Sequence, residues 1–176
     1  AFVYRSEDLI DWEYLGELCR GDDPVNDVWE CPNLILFEDG TALLLVSLMD
    51  AGSVFALEGR YVHQRLTPRK PYRFDLGDCF YAPNTVILPD GRTVLYGWAK
   101  ETVPGREAAG WQGMLTLPRE IFKKRDGTIG VKPLSEMVRM RRKKLFSKKN
   151  FTVHSGENPL KGLNGRHLEI LVKFEA

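Results

Sequence analysis

Three times along this chain an apolar run stops at Asp-Gly and a second apolar run follows, a pattern that favours folds assembled from short antiparallel hairpins. The first copy reads Leu34-Ile35-Leu36-Phe37, Asp39-Gly40, Leu43-Leu44-Leu45-Val46. The second reads Val86-Ile87-Leu88, Asp90-Gly91, Val94-Leu95-Tyr96; a weaker third runs from Ile121-Phe122 through Asp126-Gly127 to Ile129. Asp-Gly suits a two-residue type I′ turn, in which both central residues take φ > 0, so that turn is expected at each site. The turns lie 51 and 36 residues apart. A beat of ~40–50 residues is that of propeller blades, each a four-stranded antiparallel sheet.

Residues 1–133 therefore read as consecutive β-blades. Only residues 134–144 read as helix, with Leu134, Met137, Val138 and Met140 near helical spacing behind Pro133. Further on, residues 167–174 alternate in part, as a strand does, after turn signals at Asn158-Pro159 and Leu163-Asn164-Gly165. They read as the opening of a second all-β unit. The chain starts without Met inside a strand-like Ala1-Phe2-Val3-Tyr4, as a piece of a longer protein would.

Composition narrows the function classes. With 43% hydrophobic and 28% charged residues, the chain is an ordinary globular one and neither a disordered tail nor a collagen-like fibre. Its longest apolar stretch, around residues 42–49, is far short of the ~20 residues of a membrane-spanning helix. A net charge of +1 argues against bulk nucleic-acid binding, so neither a membrane nor a nucleic acid is expected as partner. The balance conceals an asymmetry: residues 1–30 hold nine acids and two bases, residues 139–149 seven bases and no acid. Without an aromatic ladder, the basic run reads as a solvated linker rather than an acidic-partner patch. Cys19, Cys31 and Cys79 have no C-x-x-C spacing and His63, His154 and His167 are scattered, so no metal or other cofactor is expected. No segment assigns a compartment.

Chemistry concentrates in three places. Trp29-Glu30-Cys31-Pro32-Asn33 sets one carboxylate among hydrophobic neighbours at a strand entrance. Burial there would raise a carboxyl pKa, as a general acid near neutrality requires; the plain alternative is a surface-turn glutamate. Strand alternation would put Glu30 and Pro32 on one face and Trp29 and Cys31 on the other. Asp75-Leu76-Gly77-Asp78-Cys79-Phe80-Tyr81-Ala82-Pro83 and Gly97-Trp98-Ala99-Lys100-Glu101 add further carboxylates and aromatics. Tryptophan at a strand end offers a flat apolar face to the C–H face of a sugar, although Trp98 and Trp111 would serve equally as packing residues.

Taken in order, W-E-C-P, D-x-G-D-C-F-Y-A-P-N-T, L-Y-G-W-A-K-E and G-W-Q-G-M-L-T-L-P-R-E resemble glycoside hydrolase family 32, the β-fructofuranosidases, levanases, inulinases and related fructosyltransferases. The opening Tyr4-Arg5-Ser6-Glu7-Asp8-Leu9 with Trp12 resembles the family's Y-x-S-x-D-L-x-x-W strand. The resemblance implies an all-β fold: a partial five-bladed β-propeller, from the end of blade two through blade five, then the start of a β-sandwich. The boundaries it suggests are propeller 1–138, basic linker 139–147 and sandwich 148–176.

By the same resemblance, Glu30 is the general acid/base of a retaining glycosidase acting on fructose-containing oligo- or polysaccharides, with Cys31, Asp78, Tyr81 and Trp98 as substrate contacts. Two departures stand out: Asn33 where many relatives have Asp, and Cys79 where a common pattern has Asp, which turns attention to Asp78. The family's nucleophile motif W-M-N-D-P-N-G and its R-D-P motif do not occur in these residues. The chain alone is therefore expected to be inactive and, with an unpaired blade edge, to self-associate. Fructosyl transfer and a non-catalytic carbohydrate-binding propeller are the competing readings.

Overall fold

The computed structural model describes residues 1–22, 27–102, 110–165 and 167–174. They divide into two units, Ala1–Leu134 and Ser135–Ala176. The first is all-β. It opens with a two-stranded ribbon, β1 (Phe2–Arg5) and β2 (Glu13–Glu17). The loop between them is held by Ser6, whose hydroxyl accepts from the Leu9 amide at 2.7 Å, and by Asp8, which accepts from the Ile10 and Asp11 amides.

A five-stranded sheet follows. Its strands are β3 (Trp29–Leu36), β4 (Thr41–Leu48), β5 (Ser53–Val62), β6 (Arg65–Pro68) and β7 (Tyr72–Arg73). β3, β4 and β5 pair in order, and both β6 and β7 pair with β5. The next sheet repeats the plan with β8 (Phe80–Ile87), β9 (Thr93–Ala99), β10 (Met114–Leu115), β11 (Arg119–Lys123) and β12 (Ile129–Pro133). β8 pairs with β9, β9 with β10 and β11, and β11 with β12. Each sheet thus fills four strand positions, one shared by two short strands. All pairings are antiparallel and both sheets are open, as in a partial five-bladed β-propeller.

All three expected hairpins are present, but not with the expected turn. In each, the amide of glycine bonds back three residues: Gly40 to the Phe37 carbonyl, Gly91 to Leu88 and Gly127 to Lys124. Only the glycine of each pair has positive φ, at 75°, 85° and 83°. These are three-residue loops, a type I turn closed by a left-handed glycine. The aspartate instead caps the returning strand, accepting from the amides of Thr41, Arg92 and Thr128. Two consecutive positive-φ residues, as a type I′ turn requires, occur at His63 and Gln64 (49° and 60°), joining β5 to β6 where no glycine announced them.

The core is organised around β4. Ala42, Leu44, Val46 and Leu48 face one cluster with Leu18, Cys19, Leu57 and Leu66. Leu43 and Leu45 face another with Ile35, Val54, Ala56, Phe80, Leu95 and Ile121, drawn from both large sheets. A strand buried on both faces reads as a continuous apolar run, which is why residues 42–46 lack alternation. Toward its far end Ser47, a polar residue, is fully buried as well.

In the second unit, the expected helix is a single 3₁₀ segment, Ser135–Met140, with no buried side chain. Nothing apolar anchors a longer helix, and consecutive like charges from Arg141 to Lys144 repel across a helical turn. Residues 167–174 form no strand: alternation alone does not satisfy backbone hydrogen bonds without a partner strand. Glu169 in this segment is ion-paired with Arg141.

Candidate active site

Glu30 and Tyr81 lead equivalent strands of the two large sheets, and each stands just before an irregularity. The pairing of β3 with β4 slips between Glu30 and Asn33, and that of β8 with β9 slips between Tyr81 and Asn84. The residue after each, Cys31 or Ala82, has positive φ (47° and 45°), and a proline follows in both strands. Bulges of this kind bend a strand and re-aim the adjacent side chain. They also break the simple alternation expected across residues 29–32.

The two re-aimed side chains meet. The Tyr81 hydroxyl donates to Glu30 Oε2 at 2.6 Å, across 51 positions of sequence. Glu30 itself is exposed, which corrects the expectation of a carboxyl buried among apolar neighbours. Its neighbour Trp29 turns into the core cluster, leaving the carboxylate on the open side. Tyr81 is half-buried, and desolvation together with the bond to the Glu30 carboxylate pushes its phenol well above the usual tyrosine range. The phenol therefore stays protonated, and a donor, throughout neutral pH.

Trp98 completes the group. It is the register partner of Tyr81 on β9, and the two rings meet edge to face with centroids 6.5 Å apart. The indole remains 38% exposed. It lies against the backbone of Gly113, where an added Cβ would fall 1.8 Å from Nε1, and Gly113 also holds a φ of +68°. Only glycine suits that place.

Of the five residues singled out from sequence, Glu30, Tyr81 and Trp98 are brought together and Cys31 is the bulge residue beside them. Asp78 stands apart, its side chain 87% exposed with Arg73 as ion-pair partner at 3.6 Å. Three further neighbours join the site: Lys100 and Ser47, given no role by sequence, and Asn33, noted there as a departure from the family pattern. The Lys100 ammonium lies 5.0 Å from the Tyr81 ring centroid while donating to the Gly52 carbonyl. Asn33 and Ser47 bond to the bulged stretch of β8. The echo of E-C-P-N in Y-A-P-N was the available signal for Asn33. No group of three His, Cys, Asp or Glu side chains placed to hold a metal occurs among the described residues.

A propeller-type scaffold thus gathers a carboxylate, a phenol and a half-open indole at the heads of neighbouring sheets. Residues 1–133 match the N-terminal domain model of the glycosyl hydrolases family 32, and the chain belongs to that family. It is 32% identical to a raffinose invertase of Escherichia coli, over 81% of this chain and 33% of the relative. With a sucrose-6-phosphate hydrolase of Staphylococcus xylosus it shares 28% identity over 78% of this chain and 30% of the relative. The crystal structure of fructan 1-exohydrolase IIa from Cichorium intybus superposes with a TM-score of 0.65 at 21% identity, covering 81% of this chain and 31% of the other. The chain thus spans about a third of the length of the curated relatives it matches.

Proposed function

We propose that this chain carries the acid/base half of an active site that hydrolyses terminal non-reducing β-D-fructofuranosides of the sucrose, levan or inulin type. The observation that supports it is the Glu30 carboxylate held by Tyr81 beside the exposed face of Trp98. In the proposed reaction, protonated Glu30 gives its proton to the glycosidic oxygen as the bond from the fructosyl anomeric carbon breaks. A second carboxylate attacks that carbon and forms a covalent fructosyl intermediate, as in retaining glycosidases. Glu30 then takes a proton from water, whose oxygen displaces the carboxylate and releases fructose. Because Oε2 accepts from Tyr81, the transferred proton is carried on Oε1.

Trp98 would stack on the fructose ring and Cys31 would flank the acid/base; Asp78 would reach substrate only from the rim. The second carboxylate is assigned to a W-M-N-D-P-N-G segment, which these residues do not include. The test compares turnover of sucrose and levan by this chain alone with turnover by a polypeptide joining it to such a segment, each with Glu30 intact or as Glu30→Gln. The chain alone should show no turnover. In the joined polypeptide, Glu30→Gln should lower kcat by about 10²–10⁴-fold with little change in KM, the loss expected for an acid/base. Clear turnover by the chain alone, or full activity of the Gln variant, contradicts the proposal.

A further inference from the structure

The bond between Glu30 and Tyr81 joins two different sheets, so its geometry depends on how those sheets are registered. One side chain bonds to the bulges of both. Asn33 Nδ2 donates to the Cys31 carbonyl at 3.0 Å, within its own bulge, and to the Pro83 carbonyl at 2.7 Å, within the bulge of β8. Its Oδ1 accepts from the Thr85 amide at 2.9 Å and from the Thr85 hydroxyl at 3.0 Å. A primary amide has two N–H donors and one oxygen with two lone pairs, and here all are used. The orientation of the amide is determined by its partners, because backbone carbonyls need donors and a backbone amide needs an acceptor. An aspartate at this position would set acceptor against acceptor at both carbonyls.

A second tie runs parallel to the first. Ser47, the register partner of Glu30 on β4, accepts from the Ala82 amide at 3.1 Å. Cys31 and Ala82 both occupy left-handed backbone, which is sparsely populated by residues with a Cβ and persists only when surrounding contacts enforce it. Asn33 bonds within or directly beside both strained sites.

We propose that Asn33 is a positioning residue, whose amide clamps the two bulges together and so holds Glu30 and Tyr81 at hydrogen-bonding distance. This rests on the fructosidase reading only in naming Glu30 the acid/base; the clamp acts on the bond, whatever the substrate. Its test needs no sugar. Tyrosines labelled at Cζ are titrated by NMR in the chain, with Tyr81 assigned by its loss in Tyr81→Phe. In the native sequence Tyr81 should ionise above the ordinary tyrosine range, raised by its burial and by its contact with Glu30.

In Asn33→Leu, near in shape and unable to bond, its midpoint should fall by about one pH unit or more as the carboxylate is released. Thr85→Val, which removes one of the four bonds, should move it in the same direction by less. Persistence of the raised midpoint in folded Asn33→Leu overturns the proposal, as does persistence in folded Thr85→Val should the leucine variant not fold. Absence of fructoside turnover in every polypeptide would refute the functional reading while leaving this titration intact.

Discussion

Tyr81 sits where the chemistry and the stability of the site intersect. Its phenol has a folded pKa raised above the unfolded value, so its contribution is complete below the ordinary tyrosine range and is lost as pH rises through the folded value. Tyr81→Phe should therefore destabilise the chain at neutral pH by about 0.5–1 kcal/mol, below the usual range for a bond to a charged group because the carboxylate is exposed and screened by solvent. Urea titrations of the two proteins should converge as the pH is carried above 10, where the unfolded phenol loses its proton while the native one still holds it; a gap that persists there would assign the loss to packing. Glu30, Tyr81 and Trp98 were legible in sequence as residues of the motifs that resemble the family's. Their contact was not, because it depends on two left-handed residues, Cys31 and Ala82, that carry no glycine to signal them.

At the scale of the element, the hairpin loops show how local signals can be right in place and wrong in kind. Asp-Gly marked three of the hairpins, yet each loop gained a residue because the aspartate is worth more as a cap on the returning strand than as a second left-handed residue. Asp39 adds a tie across sheets: its carboxylate binds the Lys123 ammonium at 2.6 Å, and Lys123 also bonds Thr41. That contact, with the Thr41 bonds, holds the Asp39 carboxyl well below its usual range. Since its folded pKa is depressed, the stabilisation is present above the unfolded value of 3.8 and disappears as pH falls through the folded one. Asp39→Asn should thus melt earlier than the native chain at pH 7, with the difference shrinking steadily below pH 4 in calorimetric scans. Equal differences at both pH values would contradict the role of the charge. The segments misread as helix and strand, 134–144 and 167–174, share a physical cause: period without burial. Their patterns are real, but no packed surface rewards them.

For the molecule as a whole, the partial propeller was legible from the hairpin beat and the continuous apolar run of β4. The sharing of that strand between two core clusters was not, because sequence does not say which face meets which neighbour. Leu44 and Leu45 are both fully buried but belong to different clusters. Each truncation to alanine should cost about 2–5 kcal/mol in urea unfolding. Circular dichroism and tryptophan fluorescence should report one coincident transition for both variants; separate transitions would mean that the clusters unfold independently. Lining both layers with a single strand leaves no outer side from which water can begin to work on β4. Its amides should be the last to exchange, and the lifetime of the folded chain is then governed by the rare moment when that inner partition is abandoned from left and right together.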